Sequence, residues 1–170
     1  IFNPRYSYGG GKILTELYGA NFGKKYFKKL IIFRPHNVYG PDMGDEHVIP
    51  ELLRKFKKAG KNQKLEIEGT GNETRSFIYI SDFCEAFFKL IKKGKHLNVY
   101  NIGTEHRVKI SKILEILKKI TKKKIKISKT NLKTGGTKHR CPDIKKIKKL
   151  GFKPQISLFA GIKKCIFHQM

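Results

Sequence analysis

Leu30-Ile31-Ile32-Phe33 is a continuous apolar run set between a helical stretch and an unavoidable loop. Four apolar residues without polar alternation mark a strand buried on both faces, as in sheets covered by helices on either side. Upstream, Ile13, Leu14, Leu17, Tyr18 and Phe22 recur near i, i+4, which predicts a helix from Tyr8 to about Phe22. Downstream, Pro35 and Tyr39-Gly40-Pro41 force the chain out of regular structure. The same periodicities predict a helix over 48–59 and a short strand over 65–67. Gly69-Thr70-Gly71-Asn72 then turns the chain into a strand from Arg75 to Ile80. Ser81-Asp82 offers cap chemistry for a helix to about Lys93, and Ser111 for one from Lys112 to about Lys122. Asn98 to Ile102 reads as a strand and Ile125 to Ile127 as strand-like. Asp143 is expected to cap a helix closed by Gly151, and a last helix runs from about Leu158 to Phe167. Helices and strands are mixed along the chain with no internal repeat, so the fold class is α/β. The first element is already a helix, and the chain opens Ile1-Phe2-Asn3-Pro4, so we expect the C-terminal part of something longer.

The net charge of +25 has a compositional explanation. Lysine occurs 32 times against six arginines, and isoleucine 21 times. A surface selected for phosphate uses Arg as well as Lys, because the guanidinium binds bidentately. Lys and Ile both have A/T-rich codons, so a low-G+C genome accounts for the skew, and a nucleic-acid role is the lesser reading. No apolar run approaches the ~18 residues of a membrane span. Cys84, Cys141 and Cys165 are odd in number and widely spaced, which suits free thiols in a reducing cytoplasm better than a disulfide framework. The six histidines show no metal-ligand spacing. The aromatic residues fall mostly at core-like positions, which argues against a base-stacking platform.

Tyr8 and Lys12 are four apart, hence on one helix face. An ammonium beside a phenol favours loss of its proton, which makes a general base for an alcohol. With seven tyrosines and 32 lysines, about one such pair arises by chance. Two glycine motifs fail. Ile13 follows Lys12 where a phosphate loop needs Ser or Thr, and the Gly69-Thr70-Gly71 turn has Thr74 at the last glycine of a dinucleotide fingerprint. More specific is Arg34-Pro35-His36-Asn37-Val38-Tyr39-Gly40-Pro41, directly after the apolar strand, because open α/β sheets bind ligands beyond the carboxyl ends of their strands. Gly69 to Asp82 follows (GTGNETRSFIYISD), then Tyr100-Asn101-Ile102-Gly103-Thr104, Arg140-Cys141-Pro142-Asp143 and Leu150-Gly151-Phe152-Lys153-Pro154.

In this order the segments resemble the extended short-chain dehydrogenase/reductase superfamily. Within it they are similar to the NAD-dependent nucleotide-sugar epimerases and dehydratases, from Tyr8 to the last helix. The resemblance implies the C-terminal part of a Rossmann-like NAD-binding domain plus a small α/β substrate domain. Residues 1–42 would belong to the former and 43–170 mainly to the latter, with 75–103 returning to the Rossmann sheet. It implies Tyr8 as general base, Lys12 on the nicotinamide ribose, and the backbone after Pro35 beside the nicotinamide carboxamide. Asn37 would meet the sugar nucleotide, Val48 and Pro50 its base, and Arg75 and Arg140 its diphosphate. Two guanidinium forks suit a diphosphate on chemical grounds too. The implied cofactor is NAD, the partner a nucleotide sugar, and the assembly a homodimer through the Tyr-Lys helix, in the cytoplasm and without a membrane.

The implied reaction is a UDP-glucose 4-epimerase-like inversion through a 4-keto sugar. A 4,6-dehydratase or decarboxylase of the same superfamily is the alternative, and a lysine-rich nucleic-acid-associated protein is the alternative of another class. The glycine-rich NAD fingerprint and the catalytic Ser/Thr would lie before Ile1, so the chain alone is expected to be inactive. Tyr6 stands where the family often has Ser, and Gly11 precedes Lys12 where Ser is common. Three glycines in a helical turn cost about 1 kcal/mol each relative to Ala, and give a cofactor close access to the backbone. Asp82 and Asp143 read as helix caps, Arg75 alternatively as a solvent-facing strand end, and Arg34 alternatively as half of a structural salt bridge.

Overall fold

The computed structural model describes residues 4–44, 46–60, 64–131 and 137–168. The chain opens with helix α1 (Pro4–Tyr26), followed by strand β1 (Ile31–Pro35) and the short β2 (Val38–Tyr39). Helix α2 (Val48–Lys58) leads to β3 (Lys64–Glu68), then to the two-residue strands β4 (Thr74–Arg75) and β5 (Ile78–Tyr79). Next come α3 (Ile80–Lys93), β6 (Asn98–Ile102), β7 (Val108–Lys109) and α4 (Ile110–Thr121). The last elements are β8 (Lys126–Thr130), β9 (His139–Arg140), α5 (Lys145–Lys148) and α6 (Leu158–His168).

Two clusters of buried side chains organise these elements. In α2, Ile49, Leu52, Leu53 and Phe56 are buried, and in α4 Ile110, Ile113, Leu114 and Leu117; both follow i, i+3, i+4, i+7. These two faces meet Leu65 and Ile67 of β3, Tyr39, Phe77 and Tyr79, and Ile162 and Cys165 of α6. Strand β3 shows the period of two that a one-sided strand requires, with Leu65 and Ile67 buried and Lys64, Glu66 and Glu68 exposed. The second cluster joins Ile78, Ala86, Leu90, Tyr100, Ile102, Ile144, Ile147 and Phe152. Each fully buried Ile or Leu contributes about 1.5–3 kcal/mol by leaving water. The end of α2 is closed from outside: the Lys123 ammonium donates to the carbonyls of Phe56 (2.7 Å), Lys57 (3.3 Å) and Ala59 (2.8 Å). Those are carbonyls that a helix end leaves without intrahelical partners.

The pairings are mainly parallel. β1 runs alongside β6 from Ile31↔Asn98 to Pro35↔Ile102, β2 pairs with β5, and β3 with β8. β4 lies between β7, antiparallel, and β9, parallel.

Several expectations are corrected. The apolar strand is not buried on both faces, since Phe33 is 39% exposed. Among the described residues β1 pairs on one edge only, and Phe33 packs on Phe83 and Phe87 of α3. The expected strand from Arg75 to Ile80 is two strands, because β4 pairs with β7 and β9 whereas β5 turns to β2. Ser81-Asp82 and Ser111 do not cap their helices; the N-cap positions are Tyr79 and Lys109, with no side-chain cap bond. Asp82 is buried instead, and its Oδ2 accepts the backbone N–H groups of Gln155 (3.1 Å) and Ile156 (2.9 Å), fastening the segment before α6 to the first turn of α3. Asp143 does accept the N–H of Lys145 at 2.8 Å, and Gly151 leaves the helix region at φ 89°, yet α5 spans four residues. The aromatics are not mostly internal. Tyr6, Tyr8, Tyr18, Phe22 and Tyr26 of α1 are exposed, with Ile13, Leu14 and Leu17 beside them. The chain side of α1 is a narrow seam at Gly19 and Gly23, which pack on Leu30.

Candidate active site at the carboxyl end of β1

Helix α1 and β1 are consecutive and run back to back, so the start of the helix lies beyond the carboxyl end of the strand. Arg34, at that end, forks onto Glu16, with Nε to Oε1 at 2.7 Å. This is the salt bridge named as an alternative for Arg34, and it ties strand to helix. The pair holds the Glu16 carboxyl below its ordinary value, chiefly through the hydrogen bond from Arg34. Tyr8, Lys12 and Glu16 are spaced i, i+4, i+8 on one face of α1. Glu16 therefore orients that face toward the strand end, with Lys12 one turn and Tyr8 two turns farther out. Both are exposed, and the Lys12 ammonium sits 5.4 Å from the centre of the Tyr8 ring. Gly9, Gly10 and Gly11 lie between them, and a Cβ added at any of the three would meet nothing within 4 Å. The result is a bare backbone ridge flanked by a phenol and an ammonium.

The loop after β1 is tied down at every residue. Pro35 is exposed, and the N–H of His36 donates to the carbonyl of Ile102 at 2.9 Å. The half-buried His36 ring lies with Nε2 3.4 Å from Asn101 Oδ1. Its pKa is lowered, first by burial, then by the nearby Arg140 and Arg34 charges, against the pull of the Asn101 contact. Asn37 has φ 43°, in the left-handed region that Asn tolerates better than most residues. Its Nδ2 donates to the carbonyl of Ser76 at 2.7 Å, and its own carbonyl accepts from Ile78 N–H. The side-chain N–H of Asn37 thus holds the β4–β5 link in place, and Oδ1 is the acceptor end of the same amide.

Arg75 and Arg140 come together. They are register partners across the parallel pair β4–β9, side by side on neighbouring strands. Like charges so placed repel. Carbonyls offset part of this: the Arg75 guanidinium donates to Thr74 (2.9 Å), Lys138 (3.2 Å) and Thr137 (2.6 Å) oxygens. Arg140 is exposed and donates to Thr137 Oγ1 at 3.2 Å. Arg75 is half-buried and bonded, not a solvent-facing strand end. Beside it, Ser76 Oγ is fully buried and has no hydrogen-bond partner among the described residues. Val48 and Pro50 occupy the first turn of α2, Val48 half-buried and Pro50 buried. Proline is tolerated there because its missing N–H would find no partner in a first turn.

The sequence reading missed His36 and Asn101. Both lie inside motifs it singled out, but their partnership spans 65 residues and leaves no local spacing. Among the described residues, no group of three or more His, Cys, Asp or Glu could hold a metal ion. No helix among them is long and apolar enough to cross a membrane.

Comparison with known proteins gives these residues a context. The sequence model of the NAD dependent epimerase/dehydratase family matches residues 1–103. The dTDP-D-glucose 4,6-dehydratase of Bos taurus is 31% identical over 171 residues, covering 96% of this chain and 47% of that protein. A solved UDP-glucose 4-epimerase from Thermotoga maritima, with UDP-glucose, is similar at a TM-score of 0.86 and 28% identity, over 95% of this chain and 52% of that one. UDP-glucuronic acid 4-epimerase from Bacillus cereus, in complex with UDP-glucuronic acid and NAD, follows at 0.85 and 26%, over 95% and 51%. The chain spans about half the length of the Bos taurus, Homo sapiens and Mus musculus dehydratases it matches. With the family sequence pattern running through α1, β1 and on to Gly103, and the fold shared with solved relatives, this chain belongs to the NAD dependent epimerase/dehydratase family.

Proposed function

We propose that the chain is the C-terminal portion of an NAD-dependent nucleotide-sugar 4-epimerase working through a 4-keto sugar. The observation that carries this is the Arg75–Arg140 pair, register partners on neighbouring strands, with the Arg140 charge acting on His36 in the loop that follows β1. A diphosphate offers two anionic groups to two planar forks, which relieves the repulsion between them. Similarity to two solved 4-epimerases supports the reaction. The 31% identity to a 4,6-dehydratase supports the second reading, in which water is eliminated from the keto sugar.

The residues present fit NAD at its nicotinamide end. A Cβ at Gly9, Gly10 or Gly11 would meet nothing within 4 Å, so this ridge would leave room for the nicotinamide ribose, which Lys12 would hold, with the exposed Pro35 backbone toward the carboxamide. NAD, when bound, supplies the acceptor and later the donor of the sugar C4 hydride. Tyr8 Oη takes the proton of the C4 hydroxyl as the carbon becomes a carbonyl, and returns it after the keto sugar has presented its other face. Lys12 keeps its positive charge beside the phenol throughout. Asn37, through Oδ1, and Arg75 and Arg140 hold the nucleotide while the sugar turns, and Val48 borders the base. The buried Pro50 shapes that border through the first turn of α2. In this reading residues 1–42 complete the Rossmann domain and 43–170 form mainly the substrate domain, with 75–103 returning to the sheet; the β1–β6 pairing supports that return. The exposed apolar face of α1 supports a homodimer through this helix.

The test is product analysis with UDP-glucose and NAD. The 170-residue chain alone is expected to yield nothing. Fused behind the N-terminal half of the Thermotoga maritima epimerase, it is expected to make UDP-galactose, and Tyr8→Phe to abolish this. Accumulation of a 4-keto-6-deoxy sugar would replace the epimerase with the dehydratase; turnover by the chain alone would overturn its status as a portion.

A further inference from the structure

A chain of hydrogen bonds joins the loop after β1 to the segment that follows Arg140. Asn101 Nδ2 donates to the backbone carbonyl of Asp143 at 2.9 Å, which fixes the orientation of that amide. Asn101 Oδ1 is then the atom facing His36, and an oxygen there requires a proton on Nε2. The neutral ring favoured by its surroundings is therefore the Nε2–H tautomer, with Nδ1 bare. The ring is wedged rather than free: His36 Cβ and Pro142 Cγ close over Gly103, each 3.0 Å from where a Cβ on that glycine would stand. Asp143 lies three residues after Arg140, and Asp143 Oδ1 in turn accepts the N–H of Lys145 at the start of α5. Arg140 is thus held on one side by the β4–β9 pairing and on the other by the bond from Asn101. The charged groups acting on the ring are Arg34 from β1 and Arg140 from β9, with Asn101 from β6 as its polar contact.

We infer that His36 is a positioning residue for nucleotide-sugar binding: through Asn101 it fixes the backbone at Asp143, and with it the direction from which Arg140 meets the diphosphate beside Arg75. The inference rests on the reading of the two arginines as diphosphate ligands. It adds to that reading a physical link between the loop that borders the nicotinamide and the strand that grips the nucleotide. Substitutions at His36 and Asn101 break one path at two points, so their effects on affinity do not add.

Two measurements test this. The first needs no ligand: nitrogen-15 NMR of histidine-labelled chain near neutral pH, with His36 assigned by its loss in His36→Gln. The Nε2–H tautomer is expected in the wild type, and its dominance lost in Asn101→Ala; an Nδ1–H tautomer overturns the inference. The second is calorimetric titration with UDP-glucose of wild type, His36→Ala, Asn101→Ala, the double variant, His36→Gln and Arg75→Ala, each with its thermal midpoint. Each single alanine variant is expected to bind about tenfold more weakly, the scale of one lost hydrogen bond. The double variant should bind no more weakly than the weaker single, and His36→Gln, which keeps a donor near the Nε2 position, should recover most of the affinity. Additive losses in the double variant, or single variants that melt lower yet bind as the wild type does, overturn the positioning role. Arg75→Ala that binds UDP-glucose as well as the wild type, or a wild type that binds none, refutes the diphosphate reading itself, and the tautomer then decides the hydrogen-bond chain on its own.

Discussion

Gly161→Ala and Gly10→Ala are the same chemical change in two helices, and the structure gives them opposite signs. Replacing glycine by alanine inside a helix stabilises by about 1 kcal/mol, through backbone entropy and helix propensity. At Gly10 nothing lies within 4 Å of the new methyl, so that gain stands alone. At Gly161 the new Cβ falls 2.1 Å from Tyr39 Oη, 2.8 Å from its Cζ and 2.9 Å from Tyr79 Cδ2. Tyr39 has no room to swing aside: it is 2% exposed and packs edge-on against Tyr79 and Phe77, with ring centres 5.5 and 6.3 Å away. Overpacking of this kind costs about 1–3 kcal/mol and more when backbone has to move. The net expectation for Gly161→Ala is a loss of about 2 kcal/mol, or roughly 4–8 °C in Tm at this chain length, against a gain of roughly 2–4 °C for Gly10→Ala. Urea unfolding followed by circular dichroism at constant m value reads both. A Gly161→Ala chain as stable as the wild type would refute the packing argument. Gly10→Ala carries a second test: under the proposed function its methyl would stand where the cofactor approaches the ridge, so in the fusion it should lower activity despite the gain in stability.

Other expectations follow from single contacts. Asp82→Ala removes a buried acceptor of two N–H bonds and should cost about 3 kcal/mol, with faster amide exchange at Gln155 and Ile156 as the local signature; a loss under about 1 kcal/mol would contradict the fastening role. Lys123→Met strips three carbonyls at the end of α2 and should cost about 2 kcal/mol in urea unfolding; an unchanged midpoint would contradict the cap. Glu73 is desolvated by burial, which raises its pKa, but bonds from Thr70 and Gly71 outweigh this and hold it below the ordinary carboxylate value. A carboxylate depressed in the folded state adds stability above its ordinary range and loses it as pH falls through the folded value. Glu73→Gln should therefore flatten the fall in stability below about pH 4.5; an identical acid profile would refute the assignment. Burial pushes the Cys165 thiol up to about 11, whereas Cys84 is exposed, so a thiol reagent at pH 8 should modify Cys84 readily and Cys165 only on unfolding.

The long elements were legible because their own side chains define them. Helices α2, α4 and α6 and strand β6 follow from apolar periodicity, and their observed limits differ from the expected ones by a residue or two. The two-residue strands β2, β7 and β9 have no period, and exist because partners distant in sequence present matching backbone. The cap assignments at Ser81-Asp82 and Ser111 failed for a related reason. A polar residue near a helix start is a local signal, but Asp82 spends its carboxylate on residues more than seventy positions away. For the site, spacing put Tyr8 and Lys12 on one face, and motif order brought Arg75 and Arg140 forward. Their registration across β4 and β9, the turn of Asn37 toward Ser76, and the Arg34–Glu16 fork that aims the helix face depend on tertiary pairing.

A crystal structure of the chain grown with UDP-glucose tests the central claim most directly. The account predicts the diphosphate between Arg75 and Arg140, the base beside Val48, and the sugar directed toward the helix face of Tyr8 and Lys12. A nucleotide bound elsewhere, with the two guanidinium groups still on the carbonyls of Thr74, Thr137 and Lys138 and on Thr137 Oγ1, would contradict it.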